Sequence, residues 1–287
     1  SKVRVRQRIG EFNNPYLLNV EYNYRERLFN GSLGFQTVEQ SYGAILLSPT
    51  IFFGNTGISL SYQASLQNIS ADTDRLDLLP RNFSDLTINL TRFQSAITLG
   101  KGFLLWSRPP LPPTRDAGLR FTPTPVVPYV QLITGVTGVS GFYSNGDSQL
   151  TLTTSVGLIG QFGYFSRTFF DYTGFNIIYS KGFYNDLSPF LFDRFVDDSV
   201  LSFGITQQIV GPLRIGFQTS YNLDTGKEIT TDYFVEWSRR TYSLLIRYNP
   251  VLELGSINLR ISDFNWVGNP GYFEDSGIRP VINGVTR

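Results

Sequence analysis

Apolar and polar residues alternate at period two along most of this chain. Leu213, Ile215, Phe217 and Tyr221 share one register, with Arg214, Gln218, Ser220 and Asn222 on the other. Ile229, Tyr233, Val235 and Trp237 oppose Glu228, Asp232 and Glu236, and Tyr242, Leu244, Ile246 and Tyr248 oppose Ser243 and Arg247. Ile257, Leu259 and Ile261 then oppose Asn258, Arg260 and Ser262. Successive side chains of a strand point to opposite faces, so these segments predict a sheet with one apolar and one charged face.

The same pattern predicts strands at 3–9, 16–28, 32–38, 43–53, 57–69, 85–91, 96–104, 173–182, 199–209, 213–223, 228–238, 241–249 and 253–264. A hairpin joins 129–143 to 150–162 through Asn145-Gly146-Asp147, a strong turn signal. Its arms exceed the ~5–6 residues of a typical globular strand and suit a tilted crossing of a bilayer. No stretch offers the ~20 apolar residues of a spanning helix. Phe121–Gly146 carries no charge, but its prolines and glycines forbid a helix. Longer connections fall at 71–84, 105–128 and 184–198, and between 70 and 163 long and short ones alternate, as in outer-membrane barrels; after 164 the alternation stops. The Pro-rich segment 105–128 cannot join a ladder and is expected to be a stiff connector or a plug folded into a lumen.

Composition sharpens this picture. Charged residues are 16% and aromatics 15%, against ~25% charge in soluble domains, too little to wet a surface of this size. The net charge of +1 leaves no footprint for nucleic acid. With no Cys and no His, thiolate or His-based metal sites, cysteine nucleophiles and a Ser-His-Asp triad are all excluded. No catalytic site and no cofactor is expected. Asp72-Thr-Asp74 and Asp193 with Asp197-Asp198 lack the spacing of a calcium loop, and Asn68, Asn82 and Asn89 sit in weak glycosylation sequons. Ser1–Val5 alternates as if in mid-strand and the chain has no Met, so it reads as an excerpt of a longer protein.

The expectation is therefore all-β: an antiparallel transmembrane β-barrel, or a large part of one, with about 14–16 strands in a single domain over 1–287, in a bacterial outer membrane. Arg214, Gln218, Glu228, Asp232, Glu236, Arg247 and Arg260 are candidates to line the lumen, with opposite signs on neighbouring strands. Tyr143, Trp237, Tyr242 and Tyr248, with Tyr22 and Tyr24, are candidates for aromatics at the water–lipid boundary. Lys2, Arg4, Arg6 and Arg8 place cations on one face of the first strand, where they would meet anionic groups of a glycolipid or line a lumen edge.

Several segments carry a resemblance: Tyr24-Arg-Glu-Arg-Leu-Phe-Asn-Gly-Ser-Leu-Gly-Phe-Gln36, Pro112-Pro-Thr-Arg-Asp-Ala-Gly-Leu-Arg-Phe121, Ser188-Pro-Phe-Leu-Phe-Asp-Arg194, Leu201-Ser-Phe-Gly-Ile-Thr-Gln-Gln208, and Arg247-Tyr-Asn-Pro-Val-Leu-Glu253 with Ser262-Asp-Phe-Asn-Trp266. Through nearly its whole length the chain resembles the cyanobacterial DUF3769 family, whose members are similar to the barrel of LptD, the lipopolysaccharide-assembly protein of the outer membrane. The resemblance implies a laterally opening barrel that takes lipopolysaccharide or a related glycolipid from a periplasmic bridge, with a partner plugging the lumen, and delivers it to the outer leaflet. The LptD periplasmic jellyroll and cysteines have no counterpart here, and no gate residue transfers. A passive porin for small solutes and a soluble β-rich structural domain are the alternatives.

Overall fold

The computed structural model describes residues 1–10, 14–79, 85–262, 278–282 and 285–286. They form one sixteen-stranded sheet. Its body is a meander of β2 (Tyr16–Phe29), β3 (Phe35–Leu47), β5 (Ile58–Asp72), β6 (Thr87–Ser107), β7 (Tyr129–Tyr143), β8 (Ser148–Gly163), β9 (Tyr172–Asn185), β10 (Ser199–Val210), β11 (Leu213–Asn222), β12 (Lys227–Ser238), β13 (Tyr242–Asn249) and β14 (Leu254–Ile261). β1 (Lys2–Ile9) pairs with Tyr16–Asn23 of β2, and β4 (Ile51–Phe52) adds to β5. The last pieces, β15 (Ile278–Ile282) and β16 (Val285–Thr286), form a hairpin whose first arm runs parallel to β2 at Arg27–Phe29. All other pairings are antiparallel, and among the described residues the outer edges of β1 and β14 carry no ladder, so the sheet is not closed by hydrogen bonds.

The sheet nevertheless curls. The 3-10 turn η1 (Gly31–Leu33) between β2 and β3 touches β12. On a flat sheet these elements would stand roughly 40 Å apart at ~4.8 Å per strand. Curling brings one face inward, and the register identifies it. Directly paired residues share a face, so Asn19 and Glu21 (β2), Ser65 and Gln67 (β5), Arg92 and Gln94 (β6), Val139 (β7) and Gln149 and Thr151 (β8) are concave. On the hairpin, the register of Tyr129 through Tyr143 is concave and that of Leu150 through Phe162 convex.

Two expected breaks are absent. Segments 85–91 and 96–104 are one strand of 21 residues, β6. Arg92 and Gln94, which look like a polar interruption, are concave-face residues of a continuous ladder. Segments 32–38 and 43–53 likewise yield β3 plus the short β4, because a bulge between Val38 and Gln40 resets the register and turns Ser41 inward. Once β6 is continuous, the long connections 73–86 and 108–128 lie at opposite rims, so the alternation of long and short connections between 70 and 163 is not realised. The sequon at Asn82 and the segment 263–266 lie outside the described residues.

Candidate functional site

The two faces invert the usual distribution of polarity. On the convex face Val20, Tyr22, Leu66, Ile177, Ile215 and Val235 are exposed, Tyr233 at 52% and Ile257 at 73%. Concave polar side chains are buried: Asn23 is 1% exposed and Gln94 3%. Isolated exposed apolar residues are ordinary, but a continuous apolar sheet face is not. No described element packs over that face, so Ile215, Tyr233 and their neighbours are not half of a two-layer core.

The concave face holds a cavity of about 810 Å³ bounded by β1, β2, β3, β5, β6 and the C-terminal hairpin. Lys2, Arg4 and Arg6 face it from β1. Arg4 Nε stands 2.6 Å from Glu21 Oε1 and Lys2 Nζ 4.0 Å from Glu21 Oε2, while Arg6 Nε donates to Asn19 Oδ1 at 3.1 Å. Arg8 continues the row opposite Leu17. Two of the four cations, Lys2 and Arg4, thus converge on one buried carboxylate on the cavity wall.

Toward the C-terminus the charged row falls on the concave side. Arg214 Nη2 donates to Glu236 Oε2 at 2.7 Å, and Gln218 sits opposite Asp232, itself bonded by Asn249 Nδ2 at 3.0 Å. Arg247 lies opposite Phe234 and Arg260 opposite Ser243, extending the same face. Glu228 leaves this row: the register shift at Ser220/Tyr221 sets it opposite Tyr221, and it is exposed. Arg214 is capped rather than open, its guanidinium standing 4.6 Å from the Phe165 ring centroid and 5.2 Å from that of Tyr172.

What the sequence did not disclose is the segment 186–198. It folds against the concave wall, with Phe190 and Phe192 joining Leu28, Val38, Ile69, Ile88 and Val281 in one cluster. Asp193 is wholly buried: it accepts from Arg92 Nη1 at 2.6 Å and from Tyr143 Oη at 3.0 Å, and takes a short bond from Ser188 Oγ. Gln149 clasps the loop through Asp193 O and the amides of Ser188 and Phe195, and Asn30 Nδ2 donates to the carbonyls of Leu191 and Arg194. Gly182 admits the Phe195 ring where a Cβ would collide. Arg194 forms a two-pronged bond to Asp74 at 2.7 Å, which holds that carboxyl below the usual carboxylate range. The apolar run Phe190-Leu191-Phe192 inside a connection was the one available signal, since connections are normally polar. The hairpin β15–β16 lies across the same face, placing Val285 against Ala96 and Val139. At the opposite rim the Pro-rich segment folds back, and Phe121 packs with Phe165 and Tyr172 while Ser238 Oγ donates to Phe121 O.

The boundary aromatics divide. Trp237, Tyr242 and Tyr248 are convex and exposed, as are Tyr22 and Tyr24. Tyr143 is not with them: it ends β7 on the concave side, 5% exposed, because its hydroxyl reaches Asp193. The Asp-rich spots hold cationic or polar groups of the chain, Asp74 with Arg194, Asp193 with Arg92 and Asp197 with Asn222. Among the described residues no group of acidic side chains is arranged to hold a metal ion.

A family model described as "Protein of unknown function (DUF3769)" matches residues 1–265. No curated protein and no solved structure matches the chain.

Proposed function

Because the chain belongs to the DUF3769 family, we propose that it forms the wall of an outer-membrane β-barrel that passes lipopolysaccharide or a related glycolipid from the periplasm toward the outer leaflet. The observation that carries this reading is the inversion of the two faces. An apolar convex surface of exposed Val, Leu, Ile and Tyr fits hydrocarbon, and a buried, charged concave surface fits a hydrated sugar head. The resemblance to the LptD barrel read from the sequence supports a glycolipid as cargo, its acyl chains leaving sideways through a weakly paired seam. A periplasmic bridge would deliver it. No chemistry on the substrate is required, and the chain acts as a conduit rather than an enzyme.

The obstruction of the concave face favours this over a passive porin. Segment 186–198 and the C-terminal hairpin fill one end and Phe121 with Phe165 the other, leaving a pocket rather than an open channel. Depleting the protein in its own host tests the reading. Glycolipid stranded on the periplasmic side supports export, whereas normal surface glycolipid with reduced uptake of small solutes would replace it with the porin.

A further inference from the structure

Consecutive strands of a meander reverse direction, so the connections sort onto two rims. One carries 10–15, 48–57, 108–128, 164–171, 211–212 and 239–241; the other carries 30–34, 73–86, 144–147, 186–198, 223–226 and 250–253. Their charges are opposite. In its described parts the first rim holds Arg108, Arg115, Arg120, Arg167, Arg239 and Arg240 against Asp116 and Asp171; Asp171 accepts from the amides of Ser166 and Arg167 and stands 4.0 Å from the Arg167 guanidinium, leaving the other five arginines against Asp116. The second is acidic, with Asp77, Asp147, Asp197 and Asp224 among its side chains and, in its described parts, only Arg75 and Arg194 as cations. The described connections of a chain whose net charge is +1 thus divide into a basic and an acidic rim.

The basic rim also carries aromatics where the apolar wall ends. Trp106 and Trp237 are convex, with the guanidinium of Arg108 at 5.4 Å from the Trp106 ring and that of Arg239 at 5.3 Å from the Trp237 ring. Phe169 and Phe170 are exposed beside Arg167 at 64% and 66%. Indole at the edge of an apolar band with an arginine just beyond it is the arrangement suited to a headgroup layer, the ring at the boundary and the cation among phosphates. An acidic protein would be met by the cations without requiring aromatics at the rim of a lipid-facing wall.

We propose that this rim is an anionic-lipid binding surface, its arginines selecting phosphate-bearing headgroups in the adjoining leaflet and so fixing which way the barrel stands in its membrane. The inference rests on the membrane-wall reading above, and the test separates the two. The protein, carrying Trp266→Phe so that Trp106 and Trp237 alone report, is reconstituted with brominated phosphatidylcholine. Unbrominated phosphatidylglycerol or phosphatidylcholine is then titrated in as competitor. The surface predicts that phosphatidylglycerol relieves tryptophan quenching about fivefold more effectively, the preference expected for one arginine beside each site. It predicts that this ratio falls toward one at high salt or in Arg108→Gln/Arg167→Gln/Arg239→Gln, and survives Arg25→Gln/Arg27→Gln/Lys227→Gln at the other end. Quenching without preference overturns the inference alone, while no quenching by any bilayer overturns the membrane reading with it. Polyglutamate bound through the same three arginines, with no lipid preference, would reassign the rim to an acidic protein partner.

Discussion

Asp193→Ala should free the segment 186–198 from the wall. The side chains of Arg92 and Asp193 are 4% and 0% exposed and meet at 2.6 Å, with Tyr143 and Ser188 completing the carboxylate's shell. Deleting the carboxylate leaves a buried guanidinium with no counter-charge, held by Gln67 Oε1 at 2.7 Å and by the Phe192 ring at 5.4 Å. Breaking one side of a buried pair costs about 3–5 kcal/mol, whereas replacing both sides by apolar groups of similar volume is near neutral. The single variant should therefore raise the population of released loop by roughly 150- to 5,000-fold, and Arg92→Met/Asp193→Leu should recover most of that loss. Trypsin cleavage after Arg194, followed by mass spectrometry on protein refolded in detergent, reads the released population. A single variant that costs under ~1 kcal/mol, or a double variant as damaged as the single, would refute the argument that the buried charge fastens the loop.

The remaining predictions concern the loop's second fastening and the two faces. Asp74 has a folded-state pKa below its ordinary value, mainly through its hydrogen bonds from Arg194; its contribution is present above the ordinary carboxylate pKa and is lost as pH falls through the lowered one. The protection factors of the Leu191 and Phe195 amides, that is, exchange corrected for the intrinsic slowing of the chemistry at low pH, should therefore fall on acidification, by an amount worth at most ~1 kcal/mol for so exposed a pair, and Asp74→Asn should remove that step. Gly182→Ala puts a methyl into the Phe195 ring and should expose the loop to protease at unchanged pH, with a cost of about 1–3 kcal/mol for overpacking. Val156→Arg on the convex face should cost about 2–4 kcal/mol in lipid, while Gln63→Lys on the cavity wall should cost under ~1 kcal/mol, both read from denaturant midpoints in bilayers. Equal costs would deny that the faces meet different solvents.

How much of this was legible follows from which interactions are local. The two-residue period needs no knowledge of partners, so the faces of β11, β12, β13 and β14 could be read directly, and Arg214, Asp232, Glu236, Arg247 and Arg260 fall on one side as the alternation requires. Bulges break that inference locally: Glu228 leaves its row because Ile229 stands as an extra, unpaired residue between it and Thr230. Tyr143 misled for a different reason. An aromatic at a strand end satisfies a boundary pattern equally well from either side, and its partner Asp193 is fifty residues away. Sequence separation also hid the inward folding of 186–198, since Arg92 and Asp193 are separated by 101 positions and neither neighbourhood announces the other. The Pro-rich segment was recognisable as a loop, but its anchorage depends on Phe165 and Ser238, which no local pattern links to Phe121.

The central claim is that lipid meets one face and water or cargo the other, and the absence of cysteine makes it directly measurable. Single cysteines placed in turn at residues 152–158 of β8, spin-labelled in reconstituted bilayers, should report oxygen accessibility that peaks at Leu152, Thr154, Val156 and Leu158. Accessibility to a polar relaxation agent should peak at Thr153 and Ser155 instead. Labels that fail to alternate, or a chain that is monomeric and folded in buffer without detergent, would contradict the account.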